Sequence, residues 1–253
     1  MKPPLSTPKY ALSFVIPLYQ SAGPIRTVVK ELERLLVDGG HEIILVNDGS
    51  PDATASVCRE LIREALVPMI YVQHARNFGE HNAVLTGWRY AQGEWIVNLD
   101  DDGQNPPAEA LRLFQHAKTT ELDVIYGDYA SKQHAAWRNV GSRFTNWITD
   151  RLLDKPAGFY LSSFRCVRGS IAREAARYDG PFPYIDGLLL QITQNIGSIE
   201  VQHKARADGQ SSYTLKKLLR LWLSTVVNFS VLPLRIASII GSLLALGGLL
   251  GIV

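Results

Sequence analysis

Four short apolar runs, residues 12–16, 43–46, 69–73 and 95–99, alternate along the chain with stretches whose apolar residues recur at helical spacing. Runs this short and this rich in Val, Ile, Leu and aromatic residues read as strands buried on both faces. Between the first two, Ile25, Val28, Val29, Leu32, Leu35 and Leu36 trace one face of a helix that Gly39-Gly40 stops. Further helices are expected over residues 52–65 and 81–91, with another beginning near Pro106. Strict alternation of strand and helix restricts the fold to a mostly parallel α/β sheet flanked by helices. At 253 residues the chain suffices for one large domain of this kind.

Ligands in such sheets bind beyond the carboxyl ends of the strands. Polar loops follow all four runs: Pro17-Leu18-Tyr19-Gln20, Asn47-Asp48-Gly49-Ser50, Arg76-Asn77-Phe78-Gly79 and Asp100-Asp101-Asp102-Gly103-Gln104-Asn105. Three adjacent carboxylates repel one another, and a hard divalent cation relieves that repulsion. If side chains alternate as in a strand, Asp100 and Asp102 share one side and Gln104 adds a neutral oxygen. The resulting D-x-D-x-Q set suits Mg2+ or Mn2+, with substrate phosphates completing the shell. Capping the helix near Pro106 would need one such residue, not three. Taken alone, the Asn47 to Ser50 stretch is also an ordinary turn. An Asp there can equally accept hydrogen bonds from a uracil or guanine edge, and the shared placement of four loops favours a ligand.

The net charge of +2 is too small for nucleic acid to be the main partner. Cys58 and Cys166 stand apart with no C-x-x-C spacing, as expected of core thiols in a reducing compartment. His41, His74, His81, His116, His134 and His203 have no metal-ligand spacing and read as surface or structural residues. His81 alone lies beside a candidate substrate loop. Residues 1–10 read as a flexible arm, without the apolar segment of a signal peptide.

Residues 236–253 carry no charge, and glycines are spread through their Leu, Ile and Ala. This is a membrane-spanning candidate, since a hydrocarbon core needs about 20 apolar residues. The run is still open at Val253, so the chain is expected to continue. Just before it, Lys216, Lys217 and Arg220 lie among Leu215, Leu218, Leu219, Leu221, Trp222 and Leu223, the pattern of an amphipathic helix in the headgroup region. Residues 135–153 interleave Trp137, Phe144, Trp147 and Ile148 with Arg138, Arg143 and Arg151, which suits a second surface helix or a core-packed one equally. Lys216, Lys217, Arg220 and Arg235 precede the apolar run, and by the positive-inside tendency the remaining domain is expected in the cytoplasm.

Five stretches occur in an order and spacing that resemble the family 2 glycosyltransferases of the GT-A fold. They are Val15-Ile16-Pro17-Leu18-Tyr19, Val46-Asn47-Asp48-Gly49-Ser50, Arg76-Asn77-Phe78-Gly79, Asp100 to Pro107, and Arg206-Ala207-Asp208-Gly209-Gln210-Ser211-Ser212-Tyr213. Within that family they resemble the membrane-bound polyprenyl-phosphate sugar transferases, which include dolichyl-phosphate mannose synthase and undecaprenyl-phosphate glucosyl and formamido-arabinosyl transferases. The resemblance implies that Pro17, Tyr19, Val46 and Asp48 hold the nucleotide base, in a donor site that Gln20, Asn77, Gly79, Asp100 and Asp101 also line. It assigns the metal and diphosphate to Asp100, Asp102 and Gln104. Arg138 and Ser142, four apart on an expected helix, look like the pair that grips the acceptor phosphate. Arg206 and Tyr213 belong to a loop that folds over the donor. Gln20 stands where Asn or Glu is usual, Ser212 replaces a Lys, and Lys132 stands in for an Arg expected after the strand containing Val124-Ile125-Tyr126.

The function implied is metal-dependent inverting transfer of a sugar, from a UDP-sugar sooner than a GDP-sugar, to undecaprenyl or another polyprenyl phosphate. Asp101 or Asp128 is available as an assisting base. The rivals are a family 2 transferase acting on a glycan or lipid-linked oligosaccharide, and a non-catalytic nucleotide-sugar-binding membrane protein. The expected organisation is a catalytic domain over residues 11–212, a juxtamembrane helix over 213–230 and a transmembrane segment over 231–253. Association of copies through the membrane end, as in several relatives, is a further expectation.

Overall fold

The computed structural model describes residues 8–129 and 161–202, together with residues 238 and 241. The chain divides into two compact units, residues 1–134 with 158–209 and residues 135–157 with 210–253. Every element below belongs to the first unit. In order these are β1 (Tyr10–Leu18), α1 (Ile25–Glu33), β2 (His41–Asn47), α2 (Thr54–Arg63), β3 (Met69–Gln73), α3 (Glu80–Tyr90), β4 (Gly93–Asn98), α4 (Pro107–Thr120) and β5 (Val124–Tyr129). There follow β6 (Arg165–Arg168), α5 (Gly169–Ala175), α6 (Ile185–Ile192) and β7 (Ile196–Val201).

The strands form one seven-stranded sheet in the order β3-β2-β1-β4-β6-β5-β7. Parallel pairing joins β3, β2, β1 and β4, while β6 runs antiparallel between β4 and β5. This is the mixed, mostly parallel α/β sheet that the alternation requires. Phe14 lies between Ile43 of β2 and Val97 of β4 in register. Alternation then sends Leu12, Phe14, Ile16 and Leu18 into one core layer with Val28, Val29 and Leu32 of α1, Leu61 of α2 and Leu113 and Phe114 of α4. The other face receives α3, where Trp88 is buried and donates its indole N–H to Asn98 Oδ1 at 2.9 Å. Each fully buried apolar side chain of this size contributes about 1.5–3 kcal/mol.

Three local expectations change. Helix α1 stops at Glu33, and Leu36 is 95% exposed. Its helical spacing is cut short because the chain turns back to bring the Gly39 and Gly40 carbonyls to the amide of Ala11. Strand β6 carries only Cys166 and Val167 between two arginines, too short an apolar run to signal a strand. Strand β4 ends at Asn98, so Asp100 lies beyond it, Asp101 and Asp102 occupy a turn, and strand alternation does not set their directions. Among the described residues no helix is long and apolar enough to cross a membrane, and the expected amphipathic and spanning segments lie outside them.

Candidate active site

The sheet's connections reverse direction between β1 and β4: β2 and β3 lie to one side of β1, and the crossover through α3 returns to the other. The exits of β1, β2, β3 and β4 therefore meet at one edge, where open α/β sheets bind ligands. Hydrogen bonds between the exits hold them together. Asp101 Oδ2 accepts from the Tyr19 amide at 3.3 Å and from the Ser21 hydroxyl, tying the β4 exit to the β1 exit. The Gln20 amide donates to Ser50 Oγ at 3.0 Å and the Ser21 amide to Thr54 Oγ1 at 2.9 Å, tying β1 to β2 and α2. Asn47 Oδ1 in turn accepts from the Ser50 amide and hydroxyl.

The β3 exit is held from below by Asp48. Its Oδ1 accepts from the Phe78 amide at 2.9 Å and lies 2.8 Å from His74 Nδ1, while Oδ2 accepts from the Gly79 amide at 2.7 Å. Gly49, at φ +64°, is required beneath this loop, because a Cβ there would lie 2.6 Å from Asn77 N and 2.7 Å from Arg76 Cα. Gly79, at φ +95°, turns the loop into α3. Above it, Arg76 stacks on the Phe78 ring at 4.7 Å. Phe78 and Tyr19, each 46% exposed, are the large aromatic surfaces offered at this edge.

The acids point in different directions. Asp100 Oδ2 accepts from Ser163 Oγ at 3.0 Å and Asn105 Nδ2 at 3.1 Å, and Asn105 Oδ1 accepts from the Tyr129 hydroxyl at 3.0 Å. Asp102 Oδ1 accepts from the Gln104 amide at 3.0 Å. Burial raises the Asp100 carboxyl above its ordinary range; repulsion from Asp102 adds to this, while the bonds from Ser163 and Asn105 work against it. Asp101 is raised by burial, against its bonds from Ser21 and Tyr19. Loss of solvent, then repulsion from Asp100, pushes Glu80 at the start of α3 up to about 7. Among the described residues no three His, Cys, Asp or Glu side chains converge as a complete protein cage for a metal. Asp100, Asp102 and Gln104 follow one another in the stretch after β4, and their side chains carry oxygen donors of the kind a hard cation takes when phosphate oxygens fill its remaining positions.

Beside the acids lies a buried polar group. Arg165 of β6 pairs with Asp186 of α6, and the Tyr126 hydroxyl donates to the same Asp186 oxygen at 3.0 Å. His81 packs edge-on against Tyr184 at 5.6 Å, and burial lowers its pKa.

The structure thus brings Pro17, Tyr19, Gln20, Asp48, Asn77, Gly79, Asp100, Asp101, Asp102 and Gln104 to one edge. Val46, one residue before the end of β2 and level with its register partners Pro17 and Val72, is 0% exposed, so its side chain packs in the core. Asp48 is 2% exposed with both oxygens engaged, so its carboxylate already serves the neighbouring loop. Of the two candidate bases, Asp101 is held by the β1 exit and Asp128 is exposed on β5. Lys132, Arg138, Ser142, Arg206 and Tyr213 lie outside the described residues. The reading from residues missed Ser163, Ser21 and His74, whose partners are 63, 80 and 26 positions away. Nothing in a one-dimensional pattern marks such pairs.

Residues 13–178 match the family Glycosyl transferase family 2. Among similar proteins are undecaprenyl-phosphate 4-deoxy-4-formamido-L-arabinose transferases. That of Yersinia enterocolitica is 31% identical over 94% of this chain and 73% of its own length, and that of Sodalis glossinidius is 33% identical over 94% and 73%. A glucosyl-3-phosphoglycerate synthase from Mycobacterium tuberculosis, solved with Mn2+, UDP and phosphoglyceric acid, matches with a TM-score of 0.57 at 16% identity over 86% of this chain and 76% of that one. S. aureus TarS 1-349 in complex with UDP-GlcNAc matches with a TM-score of 0.56 at 16% identity over 86% and 67%. At such identities these two likenesses speak for the GT-A type of sheet alone. The family match and the curated relatives go further: the chain belongs to glycosyl transferase family 2 and is a glycosyltransferase.

Proposed function

We propose that the protein transfers one sugar from a nucleotide sugar, with a UDP-sugar favoured, to undecaprenyl or another polyprenyl phosphate at the cytoplasmic face of a membrane, with inversion at the anomeric carbon. The observation that carries this reading is the meeting of four strand exits, with Asp100 and Asp102, at the reversal edge of a sheet in a chain whose curated relatives are named as undecaprenyl-phosphate transferases. An acceptor phosphate oxygen attacks the anomeric carbon as its bond to the nucleoside diphosphate breaks. Because phosphate is already anionic near neutral pH, the step needs no strong general base.

Asp100, Asp102 and Gln104 would hold Mg2+ or Mn2+, which supplies Lewis-acid neutralisation of the charge growing on the leaving diphosphate. Ser163 and Asn105 bond Oδ2 of Asp100 and would thereby orient its carboxylate for that work. Asp101 fixes the β1 exit, so that Tyr19 presents its ring to the base. Lys132, Arg138 and Ser142 take the acceptor phosphate, and Arg206 with Tyr213 close over the donor. Residues 11–212 make the catalytic domain, 213–230 a helix on the membrane surface and 231–253 a spanning segment through which copies associate.

The test is nucleoside diphosphate release from a panel of UDP- and GDP-sugars, with and without undecaprenyl phosphate, in Mg2+ or Mn2+ and then in chelator. Release that requires both lipid phosphate and metal is the expected result. Release with a glycan acceptor alone would replace the lipid phosphate, and nucleotide binding without release on any acceptor would replace the transferase by a sensor.

A further inference from the structure

Asp48 sits at the end of the strand next to β1, where a donor base would lie, yet its hydrogen-bonding capacity is largely spent inside the protein. Oδ1 meets two partners, the Phe78 amide at 2.9 Å and His74 Nδ1 at 2.8 Å, and Oδ2 meets the Gly79 amide at 2.7 Å. A carboxylate oxygen accepts about two bonds, so one position remains on a residue that is 2% exposed. The other nitrogen of His74 lies 2.9 Å from Thr86 Oγ1 on α3. With Nδ1–H donating to Asp48, Nε2 accepts the threonine hydroxyl, and the ring is held at both ends. Its edge meets the Phe78 ring at 5.6 Å, and Phe78 carries the Arg76 guanidinium at 4.7 Å. The chain of contacts therefore runs from the middle of α3 through His74 and Asp48 to the exposed face of the β3 exit.

We infer that His74 is a positioning residue for donor binding: clamped between Thr86 and Asp48, it fixes the 76–79 loop and the Asp48 carboxylate beneath it, and so sets where both meet the base. The inference rests on the nucleotide-sugar reading above. It has a structural reason in Gly49, which lets the loop backbone lie directly on the β2 exit, within reach of the Asp48 and His74 side chains. Removing the imidazole leaves Oδ1 with one bond fewer and frees the Phe78 ring on one side.

The experiment measures UDP and GDP binding by calorimetry, with thermal unfolding alongside, for the intact chain and for H74L, H74N and T86V. H74L loses both ends of the clamp and weakens nucleotide binding about tenfold or more. H74N keeps a donor toward Asp48, T86V keeps the shape of α3, and each weakens binding by about two- to fivefold. Adding T86V to H74L changes little further, since the two act through one contact chain. With a donor that turns over, the loss falls on KM for the nucleotide sugar more than on kcat. Wild-type affinity in H74L overturns the inference. So does a drop in Tm that H74N does not relieve and that leaves affinity intact, which would make His74 a stabilising residue only. Absence of any nucleotide binding by the unaltered chain overturns the donor reading itself, and this inference with it.

Discussion

Two residues show how burial decides protonation and work. His41 is buried against the Phe14 ring, its Nε2 without a hydrogen-bond partner, and Glu33 is the charged group that faces it. Burial lowers its pKa from the ordinary 6.5 in spite of a bond to Leu32 and the field of Glu33. As pH falls through that value the unfolded chain takes up a proton that the folded chain refuses. The stability His41 contributes is thus full above about 6.5 and is lost toward the lower folded value. H41F, which keeps an aromatic edge for Phe14, is expected to flatten the decline of Tm between about pH 7 and 5; an unchanged slope would assign it to other groups. Asp102 carries the opposite kind of prediction. D102A is expected to cut sugar transfer by about 10²-fold or more while Tm stays within a few degrees, because the residue is only half-buried in the turn after β4. Full transfer in D102A would remove the metal from this site.

At the scale of elements, the site depends on loops tied to one another and on a sheet edge tied to its helices. Gly49 shows the first. In G49A a methyl group is driven against the Asn77 amide nitrogen in a backbone conformation that L-residues avoid. The expected cost is about 1–3 kcal/mol in denaturant unfolding together with weakened nucleotide binding. Unchanged binding would mean that the 76–79 loop does not meet the donor. The Arg165–Asp186 pair shows the second: it joins β6 to α6 with side chains 4% and 7% exposed. D186N strands a buried guanidinium, and a loss of about 3–5 kcal/mol is expected from chemical denaturation. A loss under about 1 kcal/mol would show that solvent reaches the pair. Element identity over residues 10–120 was legible because each strand is a compact apolar run and each helix a clean stripe. β6, α5 and α6 were not, since their burial comes from long-range packing of short, partly charged segments.

For the whole molecule, the proposed transfer requires that a donor site on the sheet edge meet a lipid. The apolar run from residue 236 and the basic stretch before it predict that the chain sediments with membranes and resists alkaline washing. A chain ending at residue 212 is expected to stay in the supernatant and still bind nucleotide. Sedimentation of both forms would place the membrane contact within the catalytic domain instead.

The alternation of apolar runs and helical stripes by itself determined a mostly parallel sheet, the edge at which sheets of this kind bind ligands and the acids that gather there. These follow from local periodicity and from the rule that strands must bury both faces. Only the tertiary structure decided which acid does what. Strand β4 ends before Asp100, so the directions of the three carboxylates are set by Ser163, Asn105, Ser21 and the Tyr19 and Gln104 amides and not by the pleat. It also decided that Val46 belongs to the core and that Asp48 is committed to His74 and the β3 exit. A hydrogen bond between residues far apart in sequence leaves no local pattern, and its direction is fixed only when the sheet brings the partners together.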